Sequence, residues 1–371
     1  MRVGILGGGQ LGWMTILEGK KLGFEFLVLE ENTRAPACKV ADGCFTKERL
    51  EEFFRLCDVI TYEFEHVDEE VLNFVSPKLL PSIDVLKIKR SKVQEKLFLE
   101  RLGYPVPRFT HCTLKDLKNK LEEFGLPAVV KSESFGYDGK GLYRVYTLED
   151  IQSIIQNHKP DEVFLVEELI DFDFEISIVG ARDKEGNILT YTPTYNYNHS
   201  GILLYNYTLE EDVKQAEEIF MQLAEDLRYV GILAIEFFYA KGKVLINEIA
   251  PRVHNTGHYT LDGSYTSQFE NHVRAICGLP LGSTKLKAPS GMVNLLGLSL
   301  EDIPIHELLS IEGTKLYYYG KEKRPRRKMG HVNVVSEDYQ SLKEKVQKVL
   351  QTIYTGIIFG YGRLQGYAQP T

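Results

Sequence analysis

The sequence has no long apolar run. No stretch approaches the roughly 18 unbroken apolar residues of a membrane-spanning helix, so a soluble protein with no membrane attachment is expected. Cysteine is scarce. Cys38, Cys44, Cys57, Cys112 and Cys277 are odd in number and scattered, with neither a Cys-x-x-Cys pair nor a Cys/His cluster at zinc spacing. Neither a disulfide framework nor a zinc site is expected from them. Positive charge is also short. A formal charge of −8 argues against a protein that coats nucleic acid, because phosphate backbones call for a basic footprint. There is no Walker A segment, internal repeat or low-complexity stretch. The first residues, Met-Arg-Val-Gly-Ile-Leu-Gly, enter a strand pattern at once, without the charged leader and apolar core of a signal peptide, and a cytoplasmic location is expected.

What is present is an ordinary globular composition, 43% apolar and 26% charged, over 371 residues. That length exceeds the roughly 250–300 at which one core stops growing, which predicts two or three domains. Over about the first 95 residues, apolar runs alternate with amphipathic stretches: a strand, the turn Gly7-x-Gly9-x-x-Gly12, a helix to about Leu22, and a second strand ending at Glu30. This is the pattern of a doubly wound parallel sheet, an α/β domain. A helix is predicted over 91–102. From Ala128 the character changes to short β-branched or aromatic runs between glycine turns, an α+β pattern. Its predicted strands are about 128–132, 142–146, 163–168, 174–182 and 188–191, with a helix over 210–228. The last 80 residues are again strand-rich.

Two acids set the chemistry. Glu236 and Glu248 stand at matching places on two apolar runs that Ala240-Lys241-Gly242-Lys243 folds into a hairpin. They are predicted to point at one spot. Carboxylates inside apolar strands are costly to desolvate unless a cation meets them, and hard oxygen ligands suit Mg2+, which usually arrives with phosphates. A plain hairpin with solvated acids is the alternative. The glycine turn at 7–12, with Glu30 after it, suits an anion: a dinucleotide, a substrate phosphate, or none if the turn is purely structural. A second glycine-rich segment, Gly136-Tyr137-Asp138-Gly139-Lys140-Gly141, lies between two strands as a flap. There Lys131 and Lys140 supply charge, and Tyr137 and Asp138 can face a second ligand. Glu167 and Glu168 end an apolar strand as an adenine and ribose pocket would. Between Lys321 and Lys328 six of eight side chains are cationic, either a solvated loop or an anion site.

Taken in order, Lys92, Lys131, the segment 136–141, Glu167-Glu168, Glu175, Glu236 and Asn247-Glu248 resemble the ATP-grasp superfamily. Five further segments sharpen the resemblance: Gly7 to Gly12, Tyr62-Glu-Phe-Glu65-His66, Asn247 to His258, Ser267 to His272, and Arg327 to His331. They are similar to the branch that carboxylates 5-aminoimidazole ribonucleotide with ATP and bicarbonate in purine synthesis, and the match runs nearly the whole chain. The resemblance implies a pre-ATP-grasp domain at 1–95, an ATP-grasp fold at 96–285 with a small lid at about 110–170, a strand-rich C-terminal domain at 286–371, and a homodimer. It implies ATP contacts from Lys92, Lys131, Gly136, Tyr137, Asp138, Gly139, Lys140, Gly141, Leu142, Glu167, Glu168, Leu169, Ile170, Glu175, His199, Asn247 and Glu248. Glu236 and Glu248 would hold Mg2+, with Mn2+ as the alternative ion. Gly9, Gln10, Leu11, Glu65, Lys321, Arg327 and Lys328 would bind the ribonucleotide. Asp138, Tyr137, Arg252, His258 and Lys321 would serve the reaction, with Arg252 steering anions and His258 handling a proton. The chain departs from the family at Trp13, Ser134-Phe135 and Leu142. A formate-using ligase on the same scaffold and a nucleotide-binding protein without turnover are the competing readings.

Overall fold

The computed structural model describes residues 1–133, 141–211 and 213–354. The alternation at the start of the chain builds a four-stranded parallel sheet from β1 (Arg2–Leu6), β2 (Glu25–Leu29), β3 (Gly43–Phe45) and β4 (Val59–Tyr62), in the order β3-β2-β1-β4. The helix Gln10–Lys20 follows β1 directly. Its entry turn needs Gly7, whose φ of +99° places it where a side chain is strained and where a Cβ would strike Phe64. The strand order is that of a doubly wound sheet, with apolar residues on both faces of β1 and β4.

A second, antiparallel sheet has the order β5-β8-β6-β7, from β5 (Phe109–Thr113), β6 (Ala128–Ser132), β7 (Leu142–Val145) and β8 (Val163–Glu168). Helices Leu117–Phe124 and Ile151–Asn157 bury Leu117, Leu121, Ile151 and Ile154 against Val130, Phe164 and Val166. The large sheet is nine-stranded. Its path starts with β14 (Lys243–Ala250), β13 (Gly231–Ala240) and β9 (Phe174–Arg182), where β10 (Ile188–Thr190) pairs on the side. It continues through β11 (Thr194–His199), β12 (Ile202–Thr208), β15 (Ser290–Leu296), β17 (Lys328–Val335) and β16 (Thr314–Tyr318). Helix Lys214–Asp226 packs Phe220 and Leu223 on Ile176 and Ile178, while helix Tyr339–Tyr354 packs Val346 and Val349 near Val293 and Val332.

Three features were not anticipated. The strands β11 and β12 alternate Tyr with Asn, and their tyrosines stack across the strands, Tyr195 on Tyr207 at 4.8 Å and Tyr197 on Tyr205 at 5.0 Å. The C-terminal strands do not form a separate sheet, because β15 pairs with β12. The cysteine reading is corrected as well: Cys38 and Cys44 are joined as a disulfide, their Cα atoms 5.4 Å apart where β3 begins. Cys57, Cys112 and Cys277 are free. Among the described residues no helix is long and apolar enough to cross a membrane.

Candidate active site

Strands β13 and β14 place Glu236 directly opposite Glu248, as the spacing predicts. The turn between them uses positive φ at Lys241 and Gly242, the conformation a tight hairpin favours. Register shifts just after this pair, from Glu236↔Glu248 to Phe237↔Ile246, so Asn247 is the extra residue of a bulge. A bulge re-aims side chains beside a site. Here it leaves the Asn247 amide within reach of a neighbouring sheet, its Oδ1 accepting from Lys131 Nζ at 3.3 Å.

The carboxylate pair is electrostatically divided. Burial, then the charges of Glu248 and Glu175, push the Glu236 carboxyl above the usual carboxylate range, and Lys328 and Lys89 offset this only in part. Glu248 moves the other way: burial opposes its ionisation, but the Lys89 ammonium, which also donates to it, holds it below the usual range. His254 Nε2 stands 3.4 Å from Glu236 Oε1. Burial and Arg252 push that imidazole down to about 3, so it is neutral. Among the described residues no three His, Cys, Asp or Glu side chains gather as a metal cluster. The donors at the hairpin are two facing carboxylates and an amide oxygen. Such hard oxygens fit a Mg2+ ion that takes its remaining ligands from water and substrate phosphates.

Beside the hairpin, Lys131 on β6 is ion-paired with Glu167 on β8, and Lys96 Nζ lies 3.0 Å from the other Glu167 oxygen. Burial opposes the Glu167 charge, yet Lys131 and Lys96 pull its carboxyl down to about 2. Lys96 also donates to the Ile246 and Asn247 carbonyls at 3.0 and 2.7 Å, tying helix Lys92–Arg101 to β14. Lys92 Nζ donates to Ser132 O at 2.8 Å. Glu175, on the strand β9 beside Glu236's β13, accepts from Asn198 of β11, and His199 closes β11 one residue on. Glu168 and Leu142 are exposed, while Gly141, Leu169, Ile170 and His199 are half-buried. Gly136, Tyr137, Asp138, Gly139 and Lys140 lie outside the described residues.

Lys89, Glu95, Lys96, His254 and Asn198 were not picked out from the sequence. A signal existed for Lys96: Val93, Lys96 and Leu99 recur every three residues on the buried face of one helix, where a lysine needs a partner. Lys89 and Glu95 carried none, because their partners on β14 lie more than 150 residues away.

On the other side, the glycine turn differs from expectation. The Gly9 N–H donates to Glu63, and the Gly12 N–H donates to the second Glu63 oxygen at 2.8 Å. The Gly8 N–H donates to Glu30 at 2.9 Å. The chain's own carboxylates therefore fill the anion positions expected for a phosphate at Gly9, because β4 ends by delivering Glu63 beside the turn. The Gln10 side chain remains directed at the basic run, its Oε1 accepting from Lys321 Nζ at 3.0 Å across 311 residues of sequence. Arg327 donates to Glu322 O at 3.0 Å, Lys323 pairs with Asp302 and Arg324 with Glu322. Lys328 is half-buried and its charge is felt at Glu236 and His254. Leu11 is buried behind the turn.

Glu65 is 1% exposed and pairs with Arg252 at 2.9 Å. His258 is 1% exposed, its ring 4.8 Å from His331 and 5.6 Å from Phe269, and burial holds its pKa far below the ordinary histidine value.

With this geometry in place, comparison with known proteins is informative. The chain is 55% identical over 350 residues to the N5-carboxyaminoimidazole ribonucleotide synthase of Aquifex aeolicus, covering 94% of this chain and 96% of the relative. The chain belongs to the N5-carboxyaminoimidazole ribonucleotide synthase family. Family models agree in order: a ribonucleotide synthetase preATP-grasp domain matches residues 1–90, an ATP-grasp domain 97–269, and a phosphoribosylaminoimidazole carboxylase C-terminal domain 290–345. The crystal structure of the phosphoribosylaminoimidazole carboxylase ATPase subunit from Aquifex aeolicus superposes with a TM-score of 0.84 at 50% identity, covering 95% of this chain and all of that one. An Aspergillus clavatus N5-carboxyaminoimidazole synthase, solved with ADP and 5-aminoimidazole ribonucleotide, reaches 0.85 at 28% identity, with 95% and 98% covered. The family's ATP-grasp fold thus stands where the glycine flap, the lysines and the paired acids were read from the sequence.

Proposed function

We propose that this protein carboxylates the exocyclic amine of 5-aminoimidazole ribonucleotide, using ATP and bicarbonate, in purine biosynthesis. One observation carries the reading: Glu236 and Glu248 face each other across the hairpin, beside Lys131 and Asn247, in a chain of this family. A bicarbonate oxygen attacks the γ-phosphorus of ATP, and the bond to the β–γ bridging oxygen breaks with its electron pair leaving on ADP. The amine nitrogen then attacks the carboxyl carbon of the carboxyphosphate, inorganic phosphate departs with the C–O electron pair, and the nitrogen gives up a proton.

Lys131 and Lys92 neutralise phosphate charge on the nucleotide side, with Lys140 from the flap, and such preorganised positioning supplies most of the acceleration. Glu167, Glu168, Leu169, Ile170, Glu175 and His199 line the nucleoside. A Mg2+ ion held by Glu236, Glu248 and the Asn247 amide would supply Lewis-acid neutralisation of the phosphate oxygens. Lys321, Arg327 and Gln10 hold the ribonucleotide 5′-phosphate, Tyr137 and Asp138 orient the ring, and Arg252, fixed by Glu65, faces the anions. The domain divisions near 95 and 285, a cytoplasmic location and a homodimer belong to the same reading. ADP release, measured with and without bicarbonate and the ribonucleotide, tests it. Release that requires both supports the reading; release indifferent to the ribonucleotide but raised by formate and a different ribotide overturns it.

A further inference from the structure

The cation nearest Glu248 comes from the chain itself. Lys89, the last residue of helix Ile83–Lys89, places its Nζ 3.1 Å from Glu248 Oε2 and 3.1 Å from Glu95 Oε2. The two acids are held unequally. Glu95 is fixed, its side chain 3% exposed and its Oε1 accepting the Ile249 N–H at 2.7 Å. Glu248 is less enclosed, its side chain 49% exposed at the hairpin surface. Lys89, itself 13% exposed, is therefore anchored inward on Glu95 and reaches outward to Glu248.

Lys89 and a metal ion would compete for the charge of the same Glu248 oxygen. An ammonium sits about 3 Å from a carboxylate oxygen, whereas Mg2+ binds at about 2.0–2.1 Å and demands regular octahedral geometry. We propose that Lys89 is a built-in counter-ion: it holds Glu248 while nucleotide and metal are absent and surrenders it when they bind. This rests on the reading of Glu236 and Glu248 as the metal pair. Lys89 then sets the metal dependence of nucleotide binding. It compensates the charges of Glu95 and Glu248 in the empty protein, and the bound metal competes with it for Glu248.

The test is calorimetric titration of the full chain with ADP, with and without Mg2+, alongside thermal unfolding in EDTA. The readout is the factor by which Mg2+ tightens ADP binding. Lys89→Met should enlarge that factor about tenfold, since a half-exposed pair is worth on the order of 1 kcal/mol. The variant should also melt lower in EDTA and recover with Mg2+ and ADP. Lys89→Arg, which keeps the charge, should retain the wild-type factor. If Lys89→Met does not fold, Lys89→Gln reads the same quantity with a donor but no charge. A factor unchanged or reduced when the charge is removed overturns the proposal. Glu248→Gln in the same titration separates the two levels: if Mg2+ tightens ADP as much in Glu248→Gln as in wild type, the metal-pair reading itself is wrong.

Discussion

The glycine turn and the β13–β14 hairpin both bring carboxylates to the backbone of a sheet edge, and they resolve the charge in opposite ways. At the turn, Glu63 accepts the N–H groups of Gly9 and Gly12, so the fold itself supplies the donors. At the hairpin, Glu236 faces Glu248, whose charge raises the cost of ionising Glu236. A carboxylate met by fixed amides is part of the architecture, whereas carboxylates that meet each other call for a cation. The contrast explains why a Gly-x-Gly-x-x-Gly turn, so suggestive of a bound phosphate, serves here to fasten β1, β4 and the first helix.

Substitutions can break this contrast. The largest effect is expected at the hairpin: Glu248→Gln should lower phosphate release on the order of a thousandfold with the melting temperature little changed, because it removes metal-binding charge without emptying a core position. Full activity would take Glu248 out of the metal site. At the turn the balance is reversed. Glu63→Ala should cost about 2–4 kcal/mol of stability by stranding two amide donors, with Glu63→Gln recovering part of the loss; urea unfolding measures both. Lys321→Glu should raise the KM for the ribonucleotide about tenfold or more while that for ATP moves little. Equal shifts in both would move the basic run away from the substrate phosphate.

A further effect concerns pH. His272 is buried between the first sheet and β13, with Nε2 2.8 Å from Thr61 Oγ1 and Nδ1 accepting the Ile232 N–H. Burial pushes it down to about 4, whereas an unfolded histidine titrates near 6.5. The unfolded chain therefore takes up a proton that the fold refuses. Stability from the neutral ring is complete above about pH 6.5 and is lost as pH falls toward 4, by roughly 3 kcal/mol. Unfolding midpoints at pH 7 and 4.5 should converge in His272→Gln relative to wild type; an unchanged difference would remove His272 as the cause.

Much of this molecule could be read in advance. Period-two and period-3.6 patterns gave the parallel sheet and its helices, and the hairpin turn brought Glu236 near Glu248, although only the bulge at Asn247 sets them directly opposite. What escaped depended on contacts between distant segments. Lys89 meets Glu248, and Lys96 meets Asn247, across some 150 residues. The joining of β12 to β15 is a long-range pairing with no local signature. Glu63 had no role of its own in the sequence, because only the folded turn shows which amides it satisfies. The strands β11 and β12 were passed over because Asn breaks the apolar alternation, although Asn196 and Asn206 are buried and donate to Ser177 Oγ and Thr256 O.

The most direct measurement is electron paramagnetic resonance of Mn2+ binding in the presence of ADP, with wild type, Glu236→Gln, Glu248→Gln and the double variant. One bound ion per chain in wild type, weakened by either substitution and abolished by both, is the predicted result. Undiminished Mn2+ binding in the double variant would contradict the account.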